Sequence, residues 1–185
     1  MSPRSDAIRS AVRSDPRRAG AVKRWHTWPT IQTQTVAEAS WNVARILATI
    51  WPHAPAQALT HALLNDCGEI VTGDLPFPVK ADNPELKAVT VRLEGEAMMG
   101  MGIAHLEAAP ADDTWWQRAK IADCLEMWEF GLEELAMGNQ FAEPIVEGMI
   151  GLIAELTISF GLCHTDREAI EEYITWRTTK TPSRA

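Results

Sequence analysis

The feature that most constrains the fold is a helical hydrophobic period over residues 36–51. Apolar and small residues recur there at intervals of three and four, the spacing that makes one face of a helix apolar: Val36, Ser40, Val43, Leu47 and Ile50. Thr35 stands where it can cap the first turn, with Glu38 three residues later as the second half of a capping box. Pro52 and Pro55 then interrupt the pattern. The segment therefore predicts an amphipathic helix whose apolar face needs a partner.

The rest of the chain repeats this kind of pattern and shows no convincing strand alternation. Further helices are predicted over residues 56–67, 85–107, 113–137, 142–162 and 166–177. A loop is predicted over 71–84 because helix-breaking residues crowd it, and Pro110 indicates a turn: the breakers are Gly73, Pro76, Pro78 and Pro84. The sequence thus predicts a single all-α domain over 21–177. A basic N-terminal arm or helix over 1–20 precedes it, and a flexible tail over 178–185 follows it.

The distribution of charge narrows the class of partner. The 185 residues carry a net charge of -8, which excludes generic binding to duplex nucleic acid because that requires a basic surface. Residues 1–24, in contrast, hold seven basic and two acidic side chains, a local charge of +5. This arm either attracts a phosphate-bearing ligand or is an ordinary solvated terminus.

The cysteines and the apolar runs indicate the compartment. Cys67, Cys124 and Cys163 form neither an even set nor a CxxC pair, so a reduced, cytoplasmic protein is predicted. No apolar run approaches the ~18 residues that a membrane span requires. The N-terminus lacks the apolar centre of a secretory signal. We therefore expect no membrane partner.

Acidic side chains gather at the end of the second predicted helix. Asp66 and Glu69 are three residues apart and share a helix face, and Asp74 follows on a loop that ends at Lys80. Such a set suits a hard cation together with a phosphate, but it also fits a solvated helix end. A second acidic run on the fourth predicted helix is interpreted as a solvated face: Glu126, Glu129, Glu133 and Glu134.

Five segments resemble, in order, spacing and residue type, the motifs of the HD superfamily. They are more narrowly similar to the bacterial and phage 5'-deoxynucleotidases and small deoxynucleotide triphosphohydrolases. The segments are Arg24-Trp25, Val36-Ala37-Glu38-Ala39-Ser40, Asn65-Asp66-Cys67-Gly68-Glu69, Thr72-Gly73-Asp74-Leu75-Pro76-Phe77-Pro78-Val79-Lys80 and Ala122-Asp123. The resemblance covers about residues 20–140. It implies a single-domain HD helical bundle, a deoxynucleotide substrate or ligand, a divalent metal ion and a homo-oligomer.

The resemblance also implies a role for each matched side chain. Glu69 and Asp74 would position or deprotonate the attacking water. Arg24 and Lys80 would meet the substrate phosphate or its surroundings. Trp25 would pack against the base or sugar, and a core or rim aromatic is the alternative interpretation of that residue.

The metal ligands of the family, two histidines and two aspartates, fall on Ala39, Asn65, Asp66 and Asp123. Both histidines are therefore replaced, one by a side chain without a donor atom and one by a neutral amide. Imidazole favours zinc, cobalt and manganese over magnesium, and the loss of supporting residues around a metal already lowers affinity ~10–100-fold. We therefore expect the divalent ion (Mg, Mn, Co or Zn) to be weakly bound or absent. Rescue by His26 or His61 is the remaining alternative, and His61 lies one turn before position 65.

Three functions are compatible with this combination. The first is a metal-dependent (deoxy)nucleotide phosphohydrolase, weakened or inactive because of Ala39 and Asn65. The second is a catalytically inactive protein that still binds nucleotides in the same pocket. The third is a helical interaction scaffold, and the intact segment 72–80 argues against it.

Overall fold

The computed structural model describes residues 15–104 and 113–180. Its helices are α1 Pro16–Ala19, α2 Val36–Ile50, α3 Ala56–Leu64, α4 Phe77–Asp82, α5 Pro84–Gly100, α6 Asp113–Ala136, α7 Glu143–Ser159 and α8 His164–Lys180. Two 3-10 helices complete the order, Asn65–Ile70 after α3 and Gln140–Ala142 before α7. Within the described ranges there is no strand, and the one β-bridge joins Lys23 to Thr35. The prediction of an all-α fold is confirmed.

Helix α2 begins where the capping pattern predicts. The Thr35 hydroxyl accepts from the backbone N–H of Glu38 at 3.4 Å, and the Glu38 carboxylate accepts from the backbone N–H of Thr35 at 2.7 Å. These two bonds satisfy donors that a helix start leaves without partners. The helix ends at Ile50. The backbone N–H of the C-cap residue Trp51 still donates to the Leu47 carbonyl, and Pro52 cannot continue the ladder.

The core holds α2 against α6. Ile46 and Leu47 of α2 are fully buried together with Ile121 and Leu125 of α6. Each such side chain contributes about 1.5–3 kcal/mol when it leaves water. Ala39, in the first half of α2, is also fully buried. The packing therefore fixes the predicted ligand positions on α2 relative to those on α6.

Segment 56–84 departs from the predicted pattern at two places. Asn65–Ile70 is a 3-10 helix rather than the last turn of α3. Residues 77–82, predicted as loop, form α4 because Pro76 precedes its first turn and a proline occupies one of its first two positions. Proline has no N–H to lose there, and its φ already suits a helix start.

The remaining boundaries differ by a few residues. Helix α5 ends at Gly100 rather than at 107, and Gly102 adopts a left-handed φ of 71° that glycine tolerates. Residues 178–180, predicted as tail, belong to α8. Residues 1–14 of the predicted arm, the predicted turn at Pro110 and residues 181–185 of the tail lie outside the described residues. No helix in the described ranges combines the length and apolarity that a membrane crossing needs.

Candidate active site

The segment between α1 and α2 carries Arg24 and Trp25. The Arg24 backbone N–H donates to the Gln34 carbonyl at 2.9 Å. Trp25 has a φ of 60°, a left-handed conformation that costs a residue other than glycine about 1–3 kcal/mol. Its ring stacks on Phe130 with centroids 5.1 Å apart, and its Nε1 donates to Gln34 Oε1 at 2.8 Å. These contacts hold the strained backbone, and the neighbouring Arg24 side chain is only 10% exposed.

Glu134 of α6 binds the backbone of the segment between α1 and α2. Its carboxylate accepts from the backbone N–H groups of Ile31 and Gln32 at 2.7 and 2.8 Å, and from Asn139 Nδ2 at 2.6 Å. The predicted solvated acidic face is therefore wrong for most of its members: Glu126, Glu129 and Glu134 are buried. Backbone N–H groups and an amide satisfy Glu134, and Arg45 and Tyr173 satisfy Glu129, whereas one oxygen of Glu126 has no hydrogen-bond partner among the described residues.

Asp66 of the 3-10 helix and Asp123 of α6 lie in one cluster with Arg24. Arg24 Nη1 is 4.0 Å from Asp66 Oδ2 and 3.8 Å from Glu126 Oε2. The charge of Asp123 raises the pKa of Asp66 and that of Arg24, which places all three groups within electrostatic reach of one another. We call the following set of side chains the Arg24 cluster: Arg24, Asp66, Glu69, Lys80, Lys120, Asp123 and Glu126.

Two lysines neutralise part of the cluster. Lys80 Nζ of α4 is 3.6 Å from Glu69 Oε1, and Lys120 Nζ is 2.6 Å from Asp123 Oδ2. Lys120 is not among the site residues that the sequence predicts. The signal that indicates it is its spacing of three residues from Asp123, which puts both side chains on one face of α6.

The pKa of Glu69 is raised towards neutral pH. Glu69 is buried, and burial together with the nearby charges of Asp66 and Asp74 raises its pKa to about 8. Lys80 and Arg24 oppose this rise. The structure thus brings Glu69, Asp74 and Lys80 into one electrostatic environment.

The other carboxylates of the cluster are held in different states. Burial raises the pKa of Asp66, and Arg24 opposes that rise. Burial also raises the pKa of Glu126 to about 7, again against Arg24. For Asp123 the effect of burial is outweighed by the combined charges of Lys120, Arg24 and Lys80 and by the hydrogen bond from Lys120, so its pKa is lowered. Asp123 is therefore the carboxylate most firmly kept in its charged form.

The side chains present do not fit a resident transition-metal ion of the kind that the resemblance implies. Ala39 is fully buried and offers no donor, and Asn65 offers a neutral amide in place of imidazole. Across residues 15–104 and 113–180, no three His, Cys, Asp or Glu side chains gather into a metal-holding group. Neither His26 nor His61 joins such a group in this part of the chain. Asp123 already engages a lysine ammonium at 2.6 Å.

Four buried side-chain atoms have no hydrogen-bond partner among the described residues. They are Arg24 Nη1, Ser40 Oγ, Glu69 Oε2 and Glu126 Oε2. Leaving such an atom unsatisfied costs about 1–3 kcal/mol, so each of these atoms requires an explanation such as strain, a catalytic role, or a bound water or ion. Three of the four belong to the Arg24 cluster.

A cleft of about 280 Å³ opens beside the cluster, between α2, α6 and α8. Gln34 and Glu126 form part of its wall, and the half-exposed rings of Trp41 and Trp176 also line it. Its size is close to the lower end, about 300 Å³, of small-molecule sites. Because Glu126 contacts both the cleft and Arg24, the two features share a wall.

Comparison with known proteins shows what the chain is similar to. A cyanophage S-2L protein named dATP triphosphohydrolase is 32% identical over 120 residues, which cover 61% of this chain and 60% of that protein. A 5'-deoxynucleotidase of Shewanella oneidensis is 30% identical over 145 residues, covering 64% of this chain and 71% of that protein. The chain thus spans less than two thirds of the first relative's length.

A solved structure extends the likeness to most of the chain. The cyanophage S-2L HD phosphohydrolase DatZ, bound to dA and one catalytic Zn²⁺ ion, superposes with a TM-score of 0.74 at 25% identity. The match covers 90% of this chain and 95% of that one. A family model described as 5'-deoxynucleotidase YfbR-like matches residues 17–157. The chain therefore belongs to the YfbR-like 5'-deoxynucleotidase family of HD phosphohydrolases.

Proposed function

We propose that the chain is an HD-type (deoxy)nucleotide phosphohydrolase that binds its substrate at the Arg24 cluster. The observation that carries the proposal is the convergence of Asp66, Glu69 and Asp123 with Arg24 and Lys80 in one partly buried place. Arginine and lysine bind phosphate through charge-assisted hydrogen bonds. The relatives named as a dATP triphosphohydrolase and a 5'-deoxynucleotidase support the same substrate class.

In this proposal, lysine side chains bind the phosphate, and the carboxylates of Glu69 and Asp74 act on the attacking water. Lys80 contacts phosphate oxygens, while Glu69 and Asp74 position the attacking water. A pKa near the working pH suits a general base, and that of Glu69 is about 8. The water oxygen bonds to phosphorus, the bond from phosphorus to the leaving oxygen breaks, and the proton of the water passes to Glu69. Glu69 then returns this proton to the leaving oxygen, so that the phosphate and a protonated leaving group are released.

Binding without hydrolysis is the second candidate function. It is favoured by Ala39 and Asn65, which stand where the family places two imidazole ligands. The remaining carboxylates pair with protein cations, so the pocket keeps its phosphate-binding groups after losing its strongest metal ligands.

A phosphate-release assay separates the two candidates. dAMP and dATP are incubated with the protein in the presence of Mg²⁺, Mn²⁺ or Co²⁺, and binding is measured in parallel by calorimetry. Turnover supports the phosphohydrolase, whereas binding without turnover supports the second candidate.

A double variant, Ala39→His with Asn65→His, tests the assignment of the ligand positions. We expect it to bind a transition metal and to release phosphate at least about tenfold faster than the parent chain, because two imidazole donors return. Metal content by elemental analysis provides the independent readout. A double variant that is well folded, metal-free and inert would contradict the assignment.

We also propose that the chain forms a homo-oligomer in the cytoplasm. Large apolar side chains remain exposed on α7 and just before it: Phe141, Ile150 and Ile158. The three cysteines form no disulfide, which suits a reducing compartment. Light scattering that returned the monomer mass of 20.5 kDa would contradict the oligomer.

A further inference from the structure

We propose that Gln34 is a positioning residue, which holds the indole ring of Trp25 in the orientation that contacts the base of the nucleotide. The proposal rests on the proposed function, because it assumes that a (deoxy)nucleotide binds at the Arg24 cluster. Gln34 lies outside the five motif segments found in the sequence, and it is buried, with 6% of its surface exposed. It therefore acts through the residues that it contacts rather than on the ligand itself.

The side chain of Gln34 joins Trp25 to Glu126. Its Oε1 accepts from Trp25 Nε1 at 2.8 Å, and its Nε2 donates to Glu126 Oε1 at 2.6 Å. The backbone carbonyl of Gln34 separately accepts from the Arg24 backbone N–H at 2.9 Å. A substitution at position 34 therefore removes the two side-chain bonds and keeps the bond that supports the backbone of Arg24.

The chemistry of the two partners explains why an amide stands between them. An indole N–H only donates, and an ionised carboxylate only accepts. The side chain that joins them must present one acceptor and one donor, and the Gln34 amide does both. This requirement fixes which way the amide points, and it fixes the indole N–H of Trp25 in turn.

The backbone of Trp25 indicates that the position of its ring matters. Its φ of 60° is unfavourable for a residue other than glycine, and such residues persist where several contacts impose them, often at binding sites. One contact is the stack on Phe130, with centroids 5.1 Å apart and an interplanar angle of 5°. A parallel stack still allows the indole to turn in its own plane. The hydrogen bond to Gln34 fixes that rotation.

Trp25 is the member of this group that can meet a ligand. Unlike Gln34, it is partly exposed, and it directly follows Arg24 in the chain. A nucleobase that stacks on an aromatic side chain gains roughly fivefold to hundredfold in affinity. The segment between α1 and α2 thus presents a ring for the base beside the cluster proposed to bind the phosphate.

A pair of ligands tests the proposal. Calorimetry compares dAMP with 2-deoxyribose 5-phosphate, which has the same sugar and phosphate without the base, and the ratio of their affinities measures the contribution of the base. Gln34→Met keeps a side chain of similar size and removes both hydrogen-bonding groups. We expect it to weaken dAMP about tenfold and to leave 2-deoxyribose 5-phosphate within about twofold. A general loss of structure would weaken both ligands together, and an unchanged ratio would overturn the proposal.

Gln32→Met is the matched control. It makes the same substitution two residues earlier in the same segment. The contact of Gln32 with Glu134 is made by its backbone N–H, which the substitution keeps. We expect both affinities to stay at the parent values. A Gln32→Met protein that lost the base contribution as Gln34→Met does would overturn the assignment to Gln34.

A second substitution shows whether Gln34 acts through Trp25. Trp25→Phe removes the indole N–H and keeps an aromatic ring beside Phe130. In this background Gln34→Met should lower the base contribution no further, because the bond between the two side chains is already gone. A further loss of about tenfold would overturn the proposal and indicate an effect through Glu126. If Gln34→Met does not fold, Trp25→Phe alone decides, since a full base contribution in that variant also contradicts the proposal.

The parent chain separates this proposal from the proposed function. Equal affinities for dAMP and 2-deoxyribose 5-phosphate would overturn the role of Gln34 and Trp25 and leave a phosphate site intact. Failure of both compounds to bind at millimolar concentration would contradict the proposed function itself.

Discussion

At the scale of single residues, Asp166 illustrates how this fold keeps a buried charge. Its carboxylate accepts two N–H groups of Arg118, both at 3.1 Å, and the indole N–H of Trp51 at 2.7 Å. Burial alone would raise the pKa of Asp166, but hydrogen bonds from Arg118, Cys163 and Trp51 lower it below its ordinary value. Arg118 also lies over the ring of Trp115, 4.5 Å from its centroid. The group ties the start of α8 to α6 and to the end of α2.

Replacing Asp166 by asparagine should therefore destabilise the fold in a pH-dependent way. Removing one partner of a buried ion pair costs about 3 kcal/mol. A lowered native pKa makes the contribution fully present above the unfolded value of ~3.9, and it is lost as the pH falls through the native pKa. Urea unfolding should show a constant difference between Asp166→Asn and the parent from pH 7 to about 4.5, then a shrinking one. A difference that stays constant in acid would argue against this account.

At the scale of elements, the contact between the first 3-10 helix and α5 is the closest approach near the site. A Cβ added to Gly68 would lie 2.5 Å from Glu94 Cβ and 2.8 Å from Glu94 Cα. Backbone cannot move aside as a flexible side chain can. The 3-10 helix carries Asp66 and Glu69, so the glycine sets how deeply these acids sit.

Gly68→Ala should reduce both stability and nucleotide binding. Overpacking at a rigid contact costs about 1–3 kcal/mol, and the displaced 3-10 helix moves two acids of the Arg24 cluster. Thermal unfolding and a nucleotide titration measure the two effects. Gly95→Ala is the control: it lies in α5 next to Glu94, has open space around its Cβ position, and should be neutral or gain up to about 1 kcal/mol. A Gly68→Ala protein as stable and as tight-binding as the Gly95→Ala protein would contradict this reasoning.

The same contact explains which elements could be predicted from the sequence. Helix α2 was predictable because its period and its capping box are local signals. The first 3-10 helix was not predictable, because it depends on the close approach of Gly68 to Glu94, which lies 26 positions later in the chain. The sequence does not predict helix α4, because its prolines indicate helix breakers although proline also starts helices.

At the scale of the whole molecule, the features that the sequence cannot predict are those that depend on long-range contacts. The family resemblance predicts that Asp66 and Asp123 meet, and the charge of each carboxylate acts on Arg24. The burial of Glu126 and Glu134 was not predictable, because their partners Gln34, Ile31 and Gln32 lie about one hundred residues away, at separations of 92, 103 and 102. An acidic run on a helix carries no local sign of such donors.

The whole chain should become more stable when it binds a nucleotide, and this distinguishes a ligand-binding protein from a scaffold. At a nucleotide concentration one hundred times Kd, mass action adds about 2.7 kcal/mol to the free energy of unfolding. For a chain of this size that corresponds to a rise in Tm of about 5–11 °C. Calorimetric scans with and without dAMP measure the shift.

A pair of lysine variants locates the origin of that shift. Lys80→Ala should lose most of it, because Lys80 lies 3.6 Å from Glu69 in the cluster and is expected to bind the phosphate. Lys87→Ala removes the same charge from an exposed position on α5 and should keep the shift. Net charge changes equally in both, so any difference between them reports on the site rather than on the overall field of the protein. If neither the parent nor the Lys87→Ala protein responds to millimolar nucleotide, the helical shell acts as a scaffold and the Arg24 cluster is not a nucleotide site.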